Sequence, residues 1–311
     1  MVDLPNTGDA VIPDEDRLAE LGYKQDLKRE WSLIHSFGVS FSIISILTGI
    51  TTLFHYGLTT GGPGVMSVGW IVVNFFTFFV GLGMAEIVSA VPTSGGPYFW
   101  AAMLANESWA PFAAWMTGWF SFLGQIAVTA GITFGAANLV STVATVKGFE
   151  PTPKKIIIIH AALLWTHATI NSFGVKFLKY FTYVSVLFHS VGAACVSISV
   201  LAKAPTHQSA KFVFTTFNDS TGDPGWSKIA SPAYVAVIGL LVAQYAITGY
   251  DAAAHMAEEI KDASRAAPYG VLMSMGVSSV FGFFIMLAFL FSIQDFERTI
   301  TSRYRQVSQP F

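Results

Sequence analysis

The sequence predicts an all-α integral membrane protein. Of its 311 residues, 53% are hydrophobic and 12% charged, and the mean hydropathy is +0.55. A soluble domain carries about 25% charged residues. The apolar stretches are long and unalternating, whereas barrel strands would show short alternating segments, and lipid admits only helices and closed barrels. A third observation bears on function. The stretch AYVAVIGLLVAQYAITGYDAAAHMA (Ala233–Ala257) matches the roughly 20 residues needed to cross a bilayer, yet it contains Thr248, Gly249, Tyr250 and Asp251. An acid in hydrocarbon costs at least about 2.5 kcal/mol, so such a break faces protein or a water-filled cavity.

Residues 1–30 read as a polar, acidic tail with no signal-peptide core. A transmembrane domain follows over 31–293, with seven candidate spans at about 33–56, 66–90, 112–141, 155–170, 178–202, 232–257 and 269–293. Residues 294–311 form a polar stub. The seventeen Lys and Arg divide eight to nine between the two sides, so the positive-inside rule sets no orientation. Basic residues just before span one favour a cytoplasmic N-terminus. A glycosylation sequon at Asn218 in the longest loop would then face outward.

Span one is rich in Ser, Thr and Gly, with Ser45, Ile46, Thr48 and Gly49 near its middle. Freed amides there would bind a carboxylate as helix N-termini do. Equally, small residues let helices approach closely, and Ser or Thr bonds back to its own turn. Interruptions at corresponding places in spans one and six favour the binding reading, because that pairing points to an inverted-repeat transporter. Asp251 has three readings: a proton or substrate-cation ligand, an N-cap for a helix resuming at Ala252, or a surface residue beyond Gly249. The apolar residues on both sides argue against the last.

Other residues carry weaker signals. Glu86, near the end of span two, is a snorkelling acid or a pathway residue. Ser94–Trp100 (SGGPYFW) breaks the helix ahead of an interfacial or re-entrant segment. In span three, Gly131 and Gly135 suit close packing, and Gln125 is the one buried amide that could face a cavity. His189, alone in its apolar run, is a hydrogen-bonded core residue or a proton-coupling group. Pro268 is placed to open span seven. No phosphate loop, zinc spacing or catalytic triad is present, so no enzyme activity, cofactor or metal is expected. A net charge of −2 gives no reason to expect nucleic acid.

The runs MAEIVSAVPTSGGPYFWAAMLA and ITGYDAAAHMAEEIKDASRAAPYG, with the first span, resemble the amino acid–polyamine–organocation (APC) superfamily, and most closely its fungal amino acid, GABA and choline permeases. The resemblance covers about residues 25–311. It implies a leucine-transporter-like fold of twelve spans with five-helix inverted repeats and a cytoplasmic N-terminus. Substrate would lie between unwound parts of spans one and six, here about Ser45–Gly49 and Thr248–Asp251. Amides near Thr48 and Gly49 would hold a carboxylate, and carbonyls near Ile247 and Thr248 an amino group. Bacterial relatives carry a protonation-linked Lys in span five; counted from Gly174, that position is His189, a departure. Only about seven spans are present, so the chain reads as a fragment or truncated product that alone transports poorly.

The expected function is therefore secondary active, proton-coupled transport of GABA or other amino acids, by this chain or by a protein of which it is the N-terminal part. The expected partners are an amino acid or amine, protons and the lipid bilayer. The plasma membrane is the default location, with the vacuolar membrane as the other. Choline or polyamine is the nearest alternative substrate, relying on Tyr250, Trp119 and Asp251. A seven-span receptor and a non-transporting partner of a longer paralogue are the alternatives from other classes. A receptor would normally carry an extracellular disulfide, which the lone Cys195 cannot form.

Overall fold

The computed structural model describes residues 14–20, 22, 27–145, 147–173, 175–220 and 229–301, without the side chains of residues 17 and 175–179. Residues 1–13, 21 and 23–26 of the tail, and the stub beyond 301, therefore lie outside the described residues. Among the described residues the chain is helical, with one isolated parallel bridge between Trp31 and Ile260. Six helices among the described residues are long and apolar enough to cross a membrane.

A short helix, α1 (Asp14–Glu20), precedes span one. That span is two helices, α2 (Leu33–Ile44) and α3 (Ile46–Thr59), joined at Ser45. Next come α4 (Gly62–Ala90), the short α5 (Gly96–Leu104), α6 (Ala110–Thr145) and α7 (Pro153–Phe173). Span five runs α8 (Val175–Leu187), a π-helical turn (Phe188–Gly192) and α9 (Ala193–Lys203). After α10 (Ala210–Thr215), span six is built from α11 (Pro232–Gly239), α12 (Leu241–Ala246) and α13 (Ala252–His255). Last are α14 (Ala263–Ser292) and α15 (Phe296–Thr301).

The core lies between α3, α4, α12 and α14. Ile50, Trp70, Ile247, Met286 and Phe289 are buried there, and Phe54 meets Phe289 edge-on at 5.9 Å. Glycine permits this packing at Gly282, where a Cβ would lie 2.4 Å from Trp70 Cζ2. The indole N–H of Trp70 donates to the Ser279 carbonyl at 2.9 Å, so a buried polar atom is not left unpaired. By contrast, α7 buries no residue, and α6 buries only Thr133, Gly135, Ala137 and Ser141.

Two local expectations change. Span seven starts at Ala263, so Pro268 lies inside α14 instead of opening it. A proline there orphans the carbonyl four residues back, which is that of Ser264. The Ser89 hydroxyl donates to that carbonyl at 2.7 Å, so the helix continues through the proline. The tail is also docked. Leu18 is fully buried, the amides of Glu30 and Trp31 both donate to the Glu259 carbonyl at 3.0 Å, and the Lys261 amide donates to the Trp31 carbonyl at 2.8 Å.

Burial, and after it the neighbouring Glu258, raises the Glu259 carboxyl above its usual range. A raised carboxylate adds stability that is whole below the ordinary glutamate range and is lost as pH rises through the raised value. Thermal unfolding of detergent-solubilised protein should therefore show Tm falling with pH across that window. In Glu259→Gln the slope should be shallower and the neutral-pH Tm higher.

Candidate functional site

Span one breaks at a single residue. Ser45 has φ 45° and ψ 57°, a left-handed conformation uncommon outside glycine. Its amide still donates to the Phe41 carbonyl at 3.3 Å, and its carbonyl accepts from the Gly49 amide at 3.0 Å. The amides of Ile46, Leu47 and Thr48 open α3 and have no acceptor within it. Among the described residues they make no backbone hydrogen bond elsewhere.

The expected unwound stretch from Ser45 to Gly49 thus shrinks to one residue. Gly49 is helical and its amide is satisfied. It supplies close approach instead: a Cβ at Gly49 would lie 2.9 Å from the Cα of Ala246. That contact sets the start of α3 against the end of α12.

Span six opens more widely. Beyond Ala246, residues Ile247–Asp251 form irregular turns. Gly249 has φ +106°, and a Cβ there would meet Ile43 Cγ2 at 2.5 Å. The Thr248 hydroxyl bonds back to the Gln244 carbonyl at 2.8 Å. No hydrogen bond ends on the carbonyls of Ile247 or Thr248 among the described residues. The two breaks are therefore clipped together, Gly49 on Ala246 and Gly249 on Ile43. Unpaired amides at the positive end of α3 lie beside unpaired carbonyls at the negative end of α12.

The π-helical turn carries His189 to the break. Its Nε2 is 2.6 Å from Ser45 Oγ, and its Nδ1 is 2.7 Å from the Ser185 carbonyl. Ser45 Oγ is also hydrogen-bonded to Thr48 Oγ1, whose hydroxyl reaches the Ser45 carbonyl at 2.9 Å. Nδ1 faces two groups of Ser185: it can donate to the carbonyl, or accept from the hydroxyl at 3.1 Å. Three links then run from Nε2 through the two hydroxyls to the Ser45 carbonyl, and the hydroxyls supply two hydrogens. The third must come from Nε2. The chain is complete when Nε2 carries a hydrogen.

Asp251 occupies the N-cap position of α13, yet its side chain makes no capping bond. It pairs with His255 one turn on, at 3.3 Å, and only its backbone carbonyl serves the helix start. The Ala253 amide donates instead to Ser40 Oγ at 3.0 Å.

The amino acid permease family profile matches residues 32–311. The chain belongs to the amino acid permease family. The permease is 43% identical to amino-acid permease BAT1 of Arabidopsis thaliana, over 90% of this chain and 55% of that protein. It is 45% identical to the BAT1 homolog of Oryza sativa, over 90% of this chain and 54% of the relative. An uncharacterised amino-acid permease of Schizosaccharomyces pombe is 34% identical over 97% of this chain and 56% of its own. The chain thus spans about half the length of the relatives it matches. Family and apolar helices together make it a multi-pass membrane protein.

Three predicted site residues of the permease lie away from the breaks. Glu86 is exposed on α4, and Gln125 is exposed on α6 instead of being buried as expected. The side-chain nitrogen of Asn218, which a glycan would need, donates to the Leu58 carbonyl at 2.8 Å. Tyr250 is half-buried against the core. Sequence reasoning missed Ser40, Ser185 and His255. Ser36 and Ser40 did carry a signal: at i, i+4 spacing they form a buried polar stripe on α2, and Ser36 donates to the Ala266 carbonyl at 3.4 Å.

Proposed function

We propose that this chain contributes the substrate site of a secondary transporter for amino acids, coupled to protons through His189. The observation that carries the reading is the juxtaposition of the unpaired Ile46–Thr48 amides with the unpaired Ile247 and Thr248 carbonyls. Amides at a helix N-terminus suit a carboxylate. Carbonyls at a helix C-terminus suit an ammonium. A zwitterion answers both, and backbone groups would recognise the head of any amino acid, GABA included. Choline has no carboxylate and no N–H, and its single hydroxyl has one hydrogen to donate, so it would leave most of the amides and carbonyls unmatched. Burying unmatched polar groups costs about 1–3 kcal/mol each.

His189 adds the coupling. A hydrogen on Nε2 completes the chain that ties span five to the Ser45 break, and its loss removes one link and frees a hydroxyl at the site. Proton occupancy and the shape of the break are then one equilibrium, which is what coupling requires.

Uptake of a labelled amino acid should be measured in proteoliposomes holding the protein made from its complete reading frame. α-Amino acids and GABA should compete for uptake, choline should not, and collapsing the proton gradient should abolish accumulation. Competition by choline with none from amino acids would overturn the reading.

A further inference from the structure

The short helix α13 starts beside the break in span six, and its first amides are all satisfied. The Ala252 amide donates to the Gly249 carbonyl at 3.2 Å, and those of Ala254 and His255 donate to the Asp251 carbonyl at 2.9 and 3.3 Å. The Ala253 amide goes to another helix, to Ser40 Oγ of α2 at 3.0 Å. An N-cap aspartate ordinarily accepts from the second or third amide with its own side chain. Here both amides are taken already, and the Asp251 carboxylate makes no capping bond.

Small residues bring Ser40 to this place. A Cβ at Gly270 of α14 would lie 2.1 Å from Ser36 Oγ and 3.2 Å from the Ala253 Cβ, so α2, α13 and α14 meet at contact distance. Ser36 and Ser40 are fully buried, and the Ser36 bond to the Ala266 carbonyl fixes the rotation of α2. Relieved of capping, the Asp251 carboxylate turns to His255 Nε2 at 3.3 Å, and the two side chains are 34% and 36% exposed. Charges facing hydrocarbon are costly, so this pair faces a water-filled cavity. The turn after α4 backs the ring: a Cβ at Gly96 would lie 3.1 Å from His255 Nδ1.

We propose that Ser40 is a positioning residue of the site: by capping α13 from α2, it keeps the Asp251 carboxylate off its own helix and free to act as counter-charge to the substrate ammonium. The site needs one. An ammonium brings a full charge, whereas the carbonyls of Ile247 and Thr248 at the end of α12 offer partial charges only. His255 holds the carboxylate while the site is empty. Without the Ser40 hydroxyl the Ala253 amide loses its acceptor inside the protein, which is costly. The carboxylate at the N-cap is the acceptor that helix geometry then offers, and Asp251 leaves His255 to take it. The counter-charge rests on the transport reading; the positioning by Ser40 does not.

The test uses protein made from the complete reading frame. Diethyl pyrocarbonate attacks neutral imidazole, so the ion pair protects His255, and its rate of modification is read by peptide mass spectrometry. Ser40→Ala and Ser40→Cys should each raise that rate roughly fivefold, the factor that one net hydrogen bond is worth. Where one variant is not monodisperse, the other decides. The rate at His160, bonded to Thr133 at 2.8 Å between α6 and α7, should not move. Asp251→Ala should raise the His255 rate at least as far, and adding Ser40→Ala to it should change nothing more. An unchanged rate in a folded Ser40 variant, or an equal further rise in the Asp251→Ala background, would overturn the positioning role. In uptake, Ser40→Ala and Asp251→Ala should raise KM for the amino acid on the order of tenfold, as for a hydrogen bond to a charged group. Faster labelling with the parent KM would overturn the counter-charge. Faster labelling in a protein whose parent form takes up no amino acid would keep the positioning role and sink the transport reading.

Discussion

Gly249→Ala should destabilise the protein by about 2–6 kcal/mol and abolish uptake. Two costs combine. Alanine at φ +106° enters a region that only glycine visits freely, at about 1–3 kcal/mol. The new methyl also meets Ile43 Cγ2 at 2.5 Å, and such overpacking adds about 1–3 kcal/mol. Ile43 lies two residues before the Ser45 break, so the break cannot relax without moving the neighbouring one. Gly83→Ala is the matched control: Gly83 is helical, and nothing lies within 4 Å of a Cβ there. That variant should be neutral or gain up to about 1 kcal/mol. Tm in detergent and the yield of monodisperse protein would read both. A Gly249→Ala protein as stable as Gly83→Ala would show that the left-handed turn is not needed.

His189→Gln should separate transport from proton coupling. Glutamine holds a neutral amide at every pH, so it cannot alternate between two and one ring hydrogens. The lost contact is a hydrogen bond to a charged donor, about 1.5–3 kcal/mol, or roughly ten- to a hundredfold in gradient-driven uptake. Exchange of internal for external amino acid needs no net proton movement and should survive. The pH profile of uptake should flatten. His189→Lys restores a titrating donor and should recover uptake with its profile shifted to higher pH. Gradient-driven uptake by His189→Gln equal to that of the parent would remove His189 from the coupling.

The fold class was legible because hydropathy is a local property. Long unalternating apolar runs admit little besides membrane helices, and six such helices are present among the described residues. The interruption in span six was legible for a similar reason. Thr-Gly-Tyr-Asp inside an apolar run announces its cost in the sequence, and Gly249 indeed adopts the φ that glycine alone takes easily. Span one was harder to read. Ser45, Thr48 and Gly49 are all small or polar, and nothing local says which one leaves the helix. The structure chose Ser45, because Gly49 is needed where α3 meets Ala246 and any side chain there would strike backbone.

Composition and pattern by themselves determined that this is a membrane protein of helices, where span six is interrupted, and which family it resembles. Each rests on neighbours in sequence: runs of apolar residues, one glycine, two motifs. Tertiary structure alone decided the pairings. His189 meets Ser45 across 144 positions in the chain. Asp251 turns to His255 instead of capping its helix. Asp14 reaches the first amides of α14 across 249 positions. A hydrogen bond or ion pair is set by distances of about 3 Å, and sequence spacing says nothing of such distances until packing has fixed where each helix runs.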